Sequence, residues 1–534
     1  MLLNGFGFSG YRSVGNEFVK INPLKKINLI IGQNNSGKSN IISFLKDQLG
    51  HICNGISHGS GGLNFQNTDY HISNNQIKTK VGFPIPFQDQ LSDEYINRLS
   101  IVKQAGRRFP NELILKILSS EEFSDASGTI WFIYEQNANN KLFNLLFDIK
   151  RCLPILTNSE WSSIWSSLTA HTGGGLETHW IPNTLSRLAM ATIPKEFPKI
   201  EFIPAIRKVG DAETKENDFS GVGIIERIAK LQNPSINEQE LKNKFDKINK
   251  FVRKVLENND ATIEIPYERN MIIIHMDSKT LPLTSLGTGI HEVIILATAA
   301  TLMDNSILCV EEPELHLHPL LQKRLLDYLA NNTTNQYFFT THSAHLINTN
   351  GAEVFHVKHN RSTTRVEAIT TTKDKSLLCQ DLGYQASDLL QANSIIWVEG
   401  PSDRIYINKW IKALDGNIVE GVHYSIMFYG GRLFSHLTAD DPELNDGIQD
   451  FISLRRLNRN TCIVFDSDKS SSKKHLNLTK KRLRKEFNRG PGFTWVTKGR
   501  EIENYINADH IETCVKKVHP SAHLIIEKSQ WSNL

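Results

Sequence analysis

The chain has 534 residues, more than one hydrophobic core usually serves, so two or three domains are expected. Its 60 Lys and Arg residues nearly balance its 57 Asp and Glu residues, and the formal charge of +3 does not by itself indicate a nucleic-acid partner. The six cysteines are scattered without CxxC pairs, which argues against a zinc site and against a disulfide framework.

The first 50 residues read as strand, turn, strand, glycine-rich loop and helix, with Ile27–Ile31 as a buried strand. The N-terminus lacks a basic region and an apolar region, so we interpret it as a first strand and not as a signal peptide. Residues 51–280 are predicted to form a mainly helical insertion. Within it, residues 238–258 have helical apolar spacing and could form an arm or a dimer contact.

Alternation of strands and helices returns at residues 281–358, which we predict to complete one α/β head with residues 1–50. The apolar stretch Val293–Met303 in this part is too short and too polar to cross a bilayer, so we expect a soluble cytoplasmic protein. Residues 359–384 are polar and are predicted to be a linker. A second α/β unit is expected over residues 385–534. Its predicted strands are 394–399, 423–429, 460–466 and 493–497.

A phosphate-binding motif follows the strand Ile27–Ile31. Gly32 to Ser39 reads Gly-Gln-Asn-Asn-Ser-Gly-Lys-Ser, which matches GxxxxGK[ST] between a strand and a helix. The glycines let backbone N–H groups close around phosphate oxygens, while Lys38 reaches the β- and γ-phosphates and Ser39 can bind Mg²⁺. The sequence therefore predicts an ATP site. Its residues are Gly32, Asn35, Gly37, Lys38 and Ser39.

Two acids end the apolar run at residues 307–310. We predict that Glu311 holds the Mg²⁺ and that Glu312 polarises the attacking water. His342 follows the next apolar strand and is placed at the neighbouring strand end as a catalytic candidate. Two alternatives stay open, namely a pair of solvated glutamates at a strand end and a structural role for the histidine.

The loop from Leu283 to Gly289 opens an apolar helix and resembles the signature loop of ABC-type ATPases. Ser285 and Gly287 match it, whereas Leu286 stands where a second glycine is common. In that family the signature of one head closes over the nucleotide of its partner. The resemblance implies that Ser285 and Gly287 bind ATP in a head dimer. A simple turn at the start of a helix is the alternative.

A second acidic group lies in the C-terminal unit. Glu399 and Asp403 follow one predicted strand, while Asp466 and Asp468 follow another in a DxD spacing that turns both carboxylates to one side. Carboxylates gathered in this way repel one another unless Mg²⁺ or Mn²⁺ is bound. The pattern predicts a divalent-metal site at neighbouring strand ends.

Together these segments resemble the Toprim fold, whose motif is a glutamate after the first strand and a DxD after a later one. The residues from Thr497 to Tyr505 look like the Lys/Arg/Glu-rich end of OLD-type Toprim domains. The resemblance implies two-metal phosphodiester hydrolysis. The implied catalytic residues are Glu399, Asp466, Asp468, Lys498 and Glu503. The implied metal ligands are Glu399, Asp403, Asp466, Asp468, Glu501 and Glu503. A solvated helix start is the alternative for the last two.

A basic run lies between Asp468 and Gly490, with nine basic residues against one acid. Beside a metal site it is typical of a surface that tracks phosphates without reading sequence, although a plain solvated face is the alternative. The predicted DNA-binding residues are Lys473, Lys474, Lys480, Lys481, Arg482, Arg484 and Lys485.

The segment from Glu311 to Pro319 is also similar to the EEPExHLHP segment of the RecF, SMC and OLD branch. The whole arrangement resembles the overcoming lysogenization defect (OLD) family of ATP-dependent endonucleases, shared by Gabija nucleases and by OLD-type effectors encoded beside some retrons. The resemblance implies ATP, Mg²⁺ or Mn²⁺, DNA cleavage or nicking in antiphage defence, homo-oligomers built through the heads, and in some systems a second protein such as a helicase or a reverse transcriptase.

Two other classes compete with this interpretation. A DNA-repair or clamp-type ATPase, similar to RecF or SMC, would use its Toprim-like unit to bind DNA without cutting. A topoisomerase or primase would share Toprim, but no tyrosine-bearing cleavage domain and no zinc-ribbon cysteines are visible. The sequence does not decide whether ATP inhibits or activates cleavage.

Overall fold

The computed structural model of the chain contains two compact units, Met1–Leu382 and Gly383–Leu534. The residues that it describes are 2–59, 65–72, 78–85, 93–99, 110–125, 127–137, 142–194, 196–205, 207, 219, 223–343, 346–347, 349, 351–360, 362–382, 394–420, 423–428, 460–469, 471, 475–476, 478–488, 492–519 and 531. No helix within these ranges is long and apolar enough to cross a membrane.

Strands and helices follow one another in short groups along the first unit. Its strands are β1 (Phe6–Ser9), β2 (Val19–Ile21), β3 (Ile27–Ile31), β4 (Lys80–Ile85), β5 (Ile130–Gln136), β6 (Phe143–Leu145), β7 (Ile200–Ile203), β8 (Thr262–Glu264), β9 (Ile273–Met276), β10 (Lys279–Pro282), β11 (Ile307–Glu311), β12 (Gln336–Thr341), β13 (Ala352–His359) and β14 (Thr364–Ala368). Its helices are α1 (Lys38–Ser43), α2 (Gly50–His58), α3 (Asp93–Arg98), α4 (Asn111–Leu118), α5 (Ile149–Cys152), α6 (Asn158–Thr169), α7 (Ile181–Met190), α8 (Ile224–Gln232), α9 (Glu240–Leu256), α10 (Thr288–Leu302), α11 (Pro319–Asn332) and α12 (Thr372–Asp381).

A six-stranded sheet forms the centre of this unit, in the order β14-β13-β3-β12-β11-β7. The pairings of β13, β3, β12, β11 and β7 are parallel, and β14 joins the edge antiparallel to β13. All five residues of β3 are buried, as expected for a parallel strand with both faces covered. The loops that follow β3, β11 and β12 therefore meet at one edge of the sheet.

Side chains on the two faces of this sheet enter two separate cores. Ile30 belongs to the core shared with β1, β4 and β5, whereas Leu29 and Ile31 belong to the core shared with α9 and α10. This division follows the two-residue period of a strand. Two antiparallel sheets complete the unit, in the orders β2-β1-β4-β5-β6 and β10-β9-β8.

Three predictions about the organisation of the chain can be compared with its strands and helices. The predicted insertion supplies β4, β5 and β6 to the sheet of β1 and supplies β7 to the central sheet, so it is part of the head. Its short strands pair with distant segments, which local patterns cannot reveal.

Helix α9 buries its apolar face in the core beside α10 and α11, so that face is not available as a dimer contact. The predicted linker 359–384 holds β14 and α12. Its polar composition reflects an edge strand with alternating exposed side chains.

The second unit is built on a four-stranded parallel sheet. Its strands are β15 (Ser394–Val398), β16 (Tyr424–Phe428), β17 (Thr461–Phe465) and β18 (Phe493–Val496), in the order β16-β15-β17-β18. Its helices are α13 (Pro401–Leu414), α14 (Leu478–Phe487) and α15 (Ala508–Val518). Small cores cover both faces of the sheet, one containing Ile463 and Phe465 and the other containing Cys462 and Val464.

Candidate functional site

The loop between β3 and α1 is shaped to surround a phosphate. Gly37 has a φ of 105°, and a Cβ atom there would lie 2.4 Å from Oγ1 of Thr364, so only glycine fits. Lys38 Nζ donates hydrogen bonds to the carbonyl oxygens of Gly32 (2.9 Å) and Gln33 (2.8 Å). Burial lowers the pKa of Lys38 to about 8, against the opposing effect of Glu312, Glu314 and Glu311. A bound phosphate would replace those carbonyl contacts and favour the charged lysine.

A pair of oxygen ligands suitable for Mg²⁺ stands beside this loop. Ser39, at the start of α1, donates a hydrogen bond from Oγ to Oε1 of Glu311 at the end of β11 (3.1 Å). Since β11 and β3 flank β12 in parallel, their ends are held at one edge of the sheet. A hydroxyl and a carboxylate are hard donors that suit Mg²⁺ beside a nucleotide, so the residues present fit that ion.

Glu312 occupies an unusual backbone conformation, with a φ of 44°. Its N–H donates to the carbonyl oxygen of Thr340 (2.8 Å), and its own carbonyl oxygen accepts a hydrogen bond from Nη2 of Arg207 (2.9 Å). Its carboxylate Oε1 lies 3.9 Å from Nε2 of His342. The structure thus brings together the glutamate and the histidine that the sequence placed on separate strand ends.

Glu314 fixes the chain around His342. Its Oε1 accepts hydrogen bonds from the hydroxyl of Thr341 (2.6 Å) and from the backbone N–H of His342 (2.8 Å). Burial and the nearby charge of Lys38 lower the pKa of His342, whereas Glu312 acts in the opposite direction. The lowered pKa favours a neutral imidazole. Glu314 was not among the predicted site residues, although it stands in the acidic segment that begins at Glu311.

The predicted signature residues lie at the start of α10. Ser285 ends a short helical turn, and Gly287 immediately precedes the helix. Both residues are exposed, and an added Cβ at Gly287 would meet no heavy atom within 4 Å. The loop can therefore be approached by another molecule.

In the second unit, acidic side chains meet at the ends of β15 and β17. Glu399 follows β15, Asp466 follows β17, and the two strands are parallel neighbours. The backbone N–H of Asp466 donates to Oε1 of Glu399 (3.0 Å). Asp403 is buried in the first turn of α13, where its Oδ2 accepts the N–H of Gly400 (2.7 Å). This is the edge of a parallel sheet at which ligands usually bind.

These carboxylates repel one another. Burial raises the pKa of Asp466 to about 8, and the charges of Glu399, Asp403, Glu503 and Asp468 contribute further. Burial also raises the pKa values of Glu399 and Asp403. The cluster therefore has an excess of negative charge that a cation would neutralise.

A lysine already supplies part of that neutralisation. Lys480 of α14 is only 4% exposed, and its Nζ donates to the carbonyl oxygen of Asp466 (2.8 Å). The same ammonium forms an ion pair with Asp468 and lies 3.7 Å from Oε1 of Glu399. Among the described residues, no three His, Cys, Asp or Glu side chains are arranged so that they could hold a metal ion. The donor set suits a hard divalent cation chemically, but the ammonium group of Lys480 already lies beside two of its carboxylates.

The loop with Asp466 and Asp468 is tied to the end of β18. Between the two acids, the N–H of Ser467 donates to Oγ1 of Thr497 (2.8 Å), and its hydroxyl donates to the carbonyl oxygen of Gly499 (2.6 Å). The N–H of Asp468, whose φ is 52°, donates to the carbonyl oxygen of Arg500 (3.1 Å). The start of the predicted third acidic segment, which begins at Thr497, therefore lies beside the loop that carries Asp466 and Asp468.

Comparison with known proteins identifies the first unit. Residues 1–347 match the family AAA_15, described as an AAA ATPase domain. The chain belongs to this ATPase family. The predicted ATPase head is thereby confirmed, and no curated protein matches the chain.

The solved structures similar to this AAA_15 ATPase include head domains of SMC proteins. An SmcHead bound to the C-winged helix domain of ScpA has 13% identity and a TM-score of 0.38, covering 70% of this chain and 99% of its own. The SMC head domain from Thermotoga maritima has 14% identity and a TM-score of 0.35, covering 70% and 100%. The Smc head domain with an extended coiled coil from Pyrococcus furiosus, bound to the C-terminal domain of ScpA, has 13% identity and a TM-score of 0.35, covering 71% and 98%.

The predicted DNA-binding residues of the AAA_15 protein do not share one environment. Lys480 is buried and paired with Asp468, which does not favour the predicted phosphate contact; a charge run does not reveal which side chain points inward. Lys481, Arg484 and Lys485 are exposed on α14. Lys473, Lys474 and the side chain of Arg482 lie outside the described residues.

The remaining predicted residues lie on the segment after β18. Lys498 is exposed, and its backbone N–H donates to the hydroxyl of Tyr505 (3.0 Å). Glu503 raises the pKa of Asp466, so it belongs to the acidic cluster electrostatically. Glu501 instead lies 3.5 Å from Nε of Arg500 and begins a short helical turn. Its assignment as a metal ligand has less support than that of Glu503.

Proposed function

We propose that this AAA_15 protein is an ATP-controlled, divalent-metal-dependent DNA endonuclease whose second unit is a Toprim-like nuclease domain. The observation that carries the proposal is the meeting of Glu399 and Asp466 at the ends of adjacent parallel strands, joined by a hydrogen bond of 3.0 Å. The charges of Asp403, Asp468 and Glu503 also raise the pKa of Asp466. A phosphodiester needs such a concentration of hard oxygen donors to be hydrolysed with metal ions.

In this proposal, the acidic cluster binds Mg²⁺ or Mn²⁺, which would activate water and stabilise the leaving oxygen. Backbone N–H groups hold the carboxylates of Glu399 and Asp403 in position, so these donors are fixed before a metal arrives. Lys498, exposed on the segment after β18, is the candidate that stabilises developing negative charge. The exposed cations of α14 would hold the DNA backbone.

In the head, the motif from Gly32 to Ser39 (the P-loop) binds the phosphates through Lys38 and its backbone, Ser39 and Glu311 hold the Mg²⁺, and Glu312 orients water. His342, 3.9 Å from Glu312, would contact the γ-phosphate side of the nucleotide. The signature residues Ser285 and Gly287 would meet the ATP of a second copy, which gives a homodimer or a larger oligomer. Antiphage defence, with or without a helicase or reverse transcriptase as partner, is the proposed setting.

Plasmid nicking in Mn²⁺ tests the nuclease directly. Glu399→Ala and Asp466→Ala should each remove cleavage while ATP hydrolysis stays within about two-fold of wild type. Asp415→Ala is a matched control, since this exposed acid follows the last residue of α13, far along the helix from the acidic cluster. Unchanged nicking in both variants, with the control active, would rule out the Toprim-like assignment.

A second function is a DNA-repair or clamp-type ATPase, similar to RecF or SMC, that binds DNA without cutting it. The observation that favours it is the ammonium of Lys480, which occupies the acidic cluster where the nuclease would hold metal. DNA binding that is independent of metal, with no cleavage across a full matrix of ATP, Mg²⁺ and Mn²⁺, would support this function over the nuclease.

A further inference from the structure

A buried arginine outside every sequence motif contacts the segment that follows β11 and begins with Glu312, here called the catalytic segment. Arg207 lies four residues beyond β7, and none of its side-chain surface is exposed. Burying a guanidinium group is unfavourable unless it is paired, so a side chain in this position needs a specific set of partners. The phosphate-binding motifs do not account for its burial.

The partners of Arg207 belong to two different elements. Its Nη2 donates to the carbonyl oxygen of Glu312 (2.9 Å), and its guanidinium forms an ion pair with Glu292 of α10. The side chain of Glu292 is 3% exposed. Burial raises the pKa of Glu292 to about 7, while Arg207 acts in the opposite direction and favours the charged carboxylate. One side chain thus joins the catalytic segment to the helix that starts at the signature loop.

The contact with Arg207 helps to hold the backbone of Glu312. Its φ of 44° lies in the left-handed region, which is unfavourable for a residue other than glycine. Three hydrogen bonds hold it there: its N–H donates to the carbonyl oxygen of Thr340, and its own carbonyl oxygen accepts from Nη2 of Arg207 and from the N–H of Leu315 (3.1 Å). Without Arg207 the carbonyl oxygen would keep only the local bond from Leu315, so the peptide group and the carboxylate would be held less firmly in the orientation that faces His342.

Helix α10 also meets the same segment at a second point. A Cβ atom on Gly289, in the first turn of α10, would lie 2.8 Å from the carbonyl oxygen of His316. The helix therefore packs directly on the main chain that follows Glu312, and the ion pair with Arg207 connects them one turn further along. A shift of α10 would be transmitted to Glu312 through both contacts.

We infer that Arg207 is a positioning residue for ATP hydrolysis, which makes the orientation of Glu312 depend on the position of α10. The inference rests on the proposed catalytic role of Glu312. Because α10 begins at the exposed loop with Ser285 and Gly287, whatever binds that loop would change the hydrolysis step. ATP binding at the P-loop would not depend on Arg207, since Lys38 and Ser39 have other contacts.

The test compares four full-length variants, Arg207→Lys, Arg207→Met/Glu292→Met, Glu312→Gln and Arg207→Lys/Glu312→Gln. The first keeps a charge beside Glu292 but cannot hold two partners with a planar fork. The second removes both charges together, so no unpaired charge is left buried. Melting temperature, the Kd of a fluorescent ATP analogue and the kcat of hydrolysis are measured for each variant.

We expect both Arg207 variants of the wild-type head to fold, to keep the Kd within about three-fold and to lose about 10- to 100-fold in kcat. In the Glu312→Gln background, Arg207→Lys should lower the residual rate no further, since the group that it positions is gone. A purely structural arginine would instead lower the rate in both backgrounds.

Wild-type kcat in either folded Arg207 variant would overturn the inference, and so would a Kd that weakens as much as kcat falls. If the methionine pair does not fold, Arg207→Lys alone gives the same decision. If Glu312 does not have the proposed catalytic role, the Glu312→Gln variant will hydrolyse ATP at the wild-type rate. This outcome is therefore distinguished from a failure of the inference about Arg207.

Discussion

The two acidic sites of this protein each contain a buried lysine, and the lysines have different partners. Lys38 contacts main-chain carbonyl oxygens of its own loop, which a phosphate can replace. Lys480 contacts the carboxylates themselves, through Asp468 and Glu399. The head thus holds its cation ready for an anionic ligand, whereas in the second unit the cation already neutralises the acids. The difference teaches that gathered carboxylates alone do not identify a metal site.

The largest expected effect comes from removing the lysine of the head. Lys38→Met should weaken ATP binding at least about 100-fold, because charged hydrogen bonds to phosphate contribute about 1.5–3 kcal/mol each. Equilibrium binding of a fluorescent ATP analogue measures this change. Lys230→Met, an exposed lysine on α8, is the matched control and should bind as wild type does.

The same variant decides the direction of control over the nuclease. If ATP restrains cleavage, Lys38→Met protein should nick plasmid equally with and without ATP, at the rate of the nucleotide-free wild type. If ATP activates cleavage, the variant should stay inactive in both conditions. A variant that still responds to ATP with its binding abolished would show that the nucleotide acts elsewhere.

The head was largely predictable because its motifs are contiguous. Gly32 to Ser39 carry their own context of strand and helix, and Glu311 and Glu312 end a fully apolar buried strand. Arg207 was missed because its partners, Glu292 and Glu312, are 85 and 105 residues away in the sequence, and a single arginine has no pattern. Only the fold brings them together.

The second unit was harder to predict for a related reason. Parallel pairing places Glu399 beside Asp466. The position of these acids after two apolar runs indicated that they could lie at neighbouring strand ends. The environment of Lys480 could not be obtained in the same way. Its neighbours Lys481, Arg484 and Lys485 are exposed, and the run of charges does not show that Lys480 is turned inward.

A second experiment removes the lysine of the acidic cluster. Lys480→Met should tighten Mn²⁺ binding about ten-fold or more, since it removes a positive charge within 4 Å of Glu399 and Asp468 at an interaction of about 4 kcal/mol for an effective dielectric constant of about 20. Isothermal titration with Mn²⁺ measures it. Lys481→Met changes the adjacent exposed lysine and should leave binding unchanged. Weaker binding in the Lys480 variant would mean that this lysine organises the metal site and does not compete with it.

The pH dependence of the metal-free protein examines the repulsion in the cluster. The pKa of Asp466 rises from 3.8 to about 8 on folding, so the folded state binds more protons than the unfolded state in that range. Stability should therefore fall as the pH rises from about 4 to 8. Hydrogen–deuterium exchange of peptides covering β17, corrected for the intrinsic pH dependence, should show this as lower protection at pH 8 than at about pH 5.

Asp466→Asn should make the protection of β17 less dependent on pH, because the amide cannot ionise, while Glu399 and Asp403, whose pKa values are also raised, keep part of the dependence. Mn²⁺ should restore protection at pH 8 in the wild type and have less effect in the variant. Equal protection of wild-type β17 at both pH values would contradict the excess of negative charge that distinguishes the second site from the first.

The smallest expected effect concerns the exposed face of α14. Replacing Lys481, Arg484 and Lys485 together by Gln should lower DNA affinity several-fold and reduce the slope of log K against log salt by about 3, near 0.9 for each phosphate that is no longer neutralised. Fluorescence anisotropy across a salt series measures both quantities. Because these side chains are exposed whereas Lys480 is buried, Mn²⁺ binding should stay unchanged, which separates the cations that hold DNA from the one that neutralises the acids. A loss of Mn²⁺ affinity with an unchanged salt slope would mean that the whole helix serves the acidic cluster.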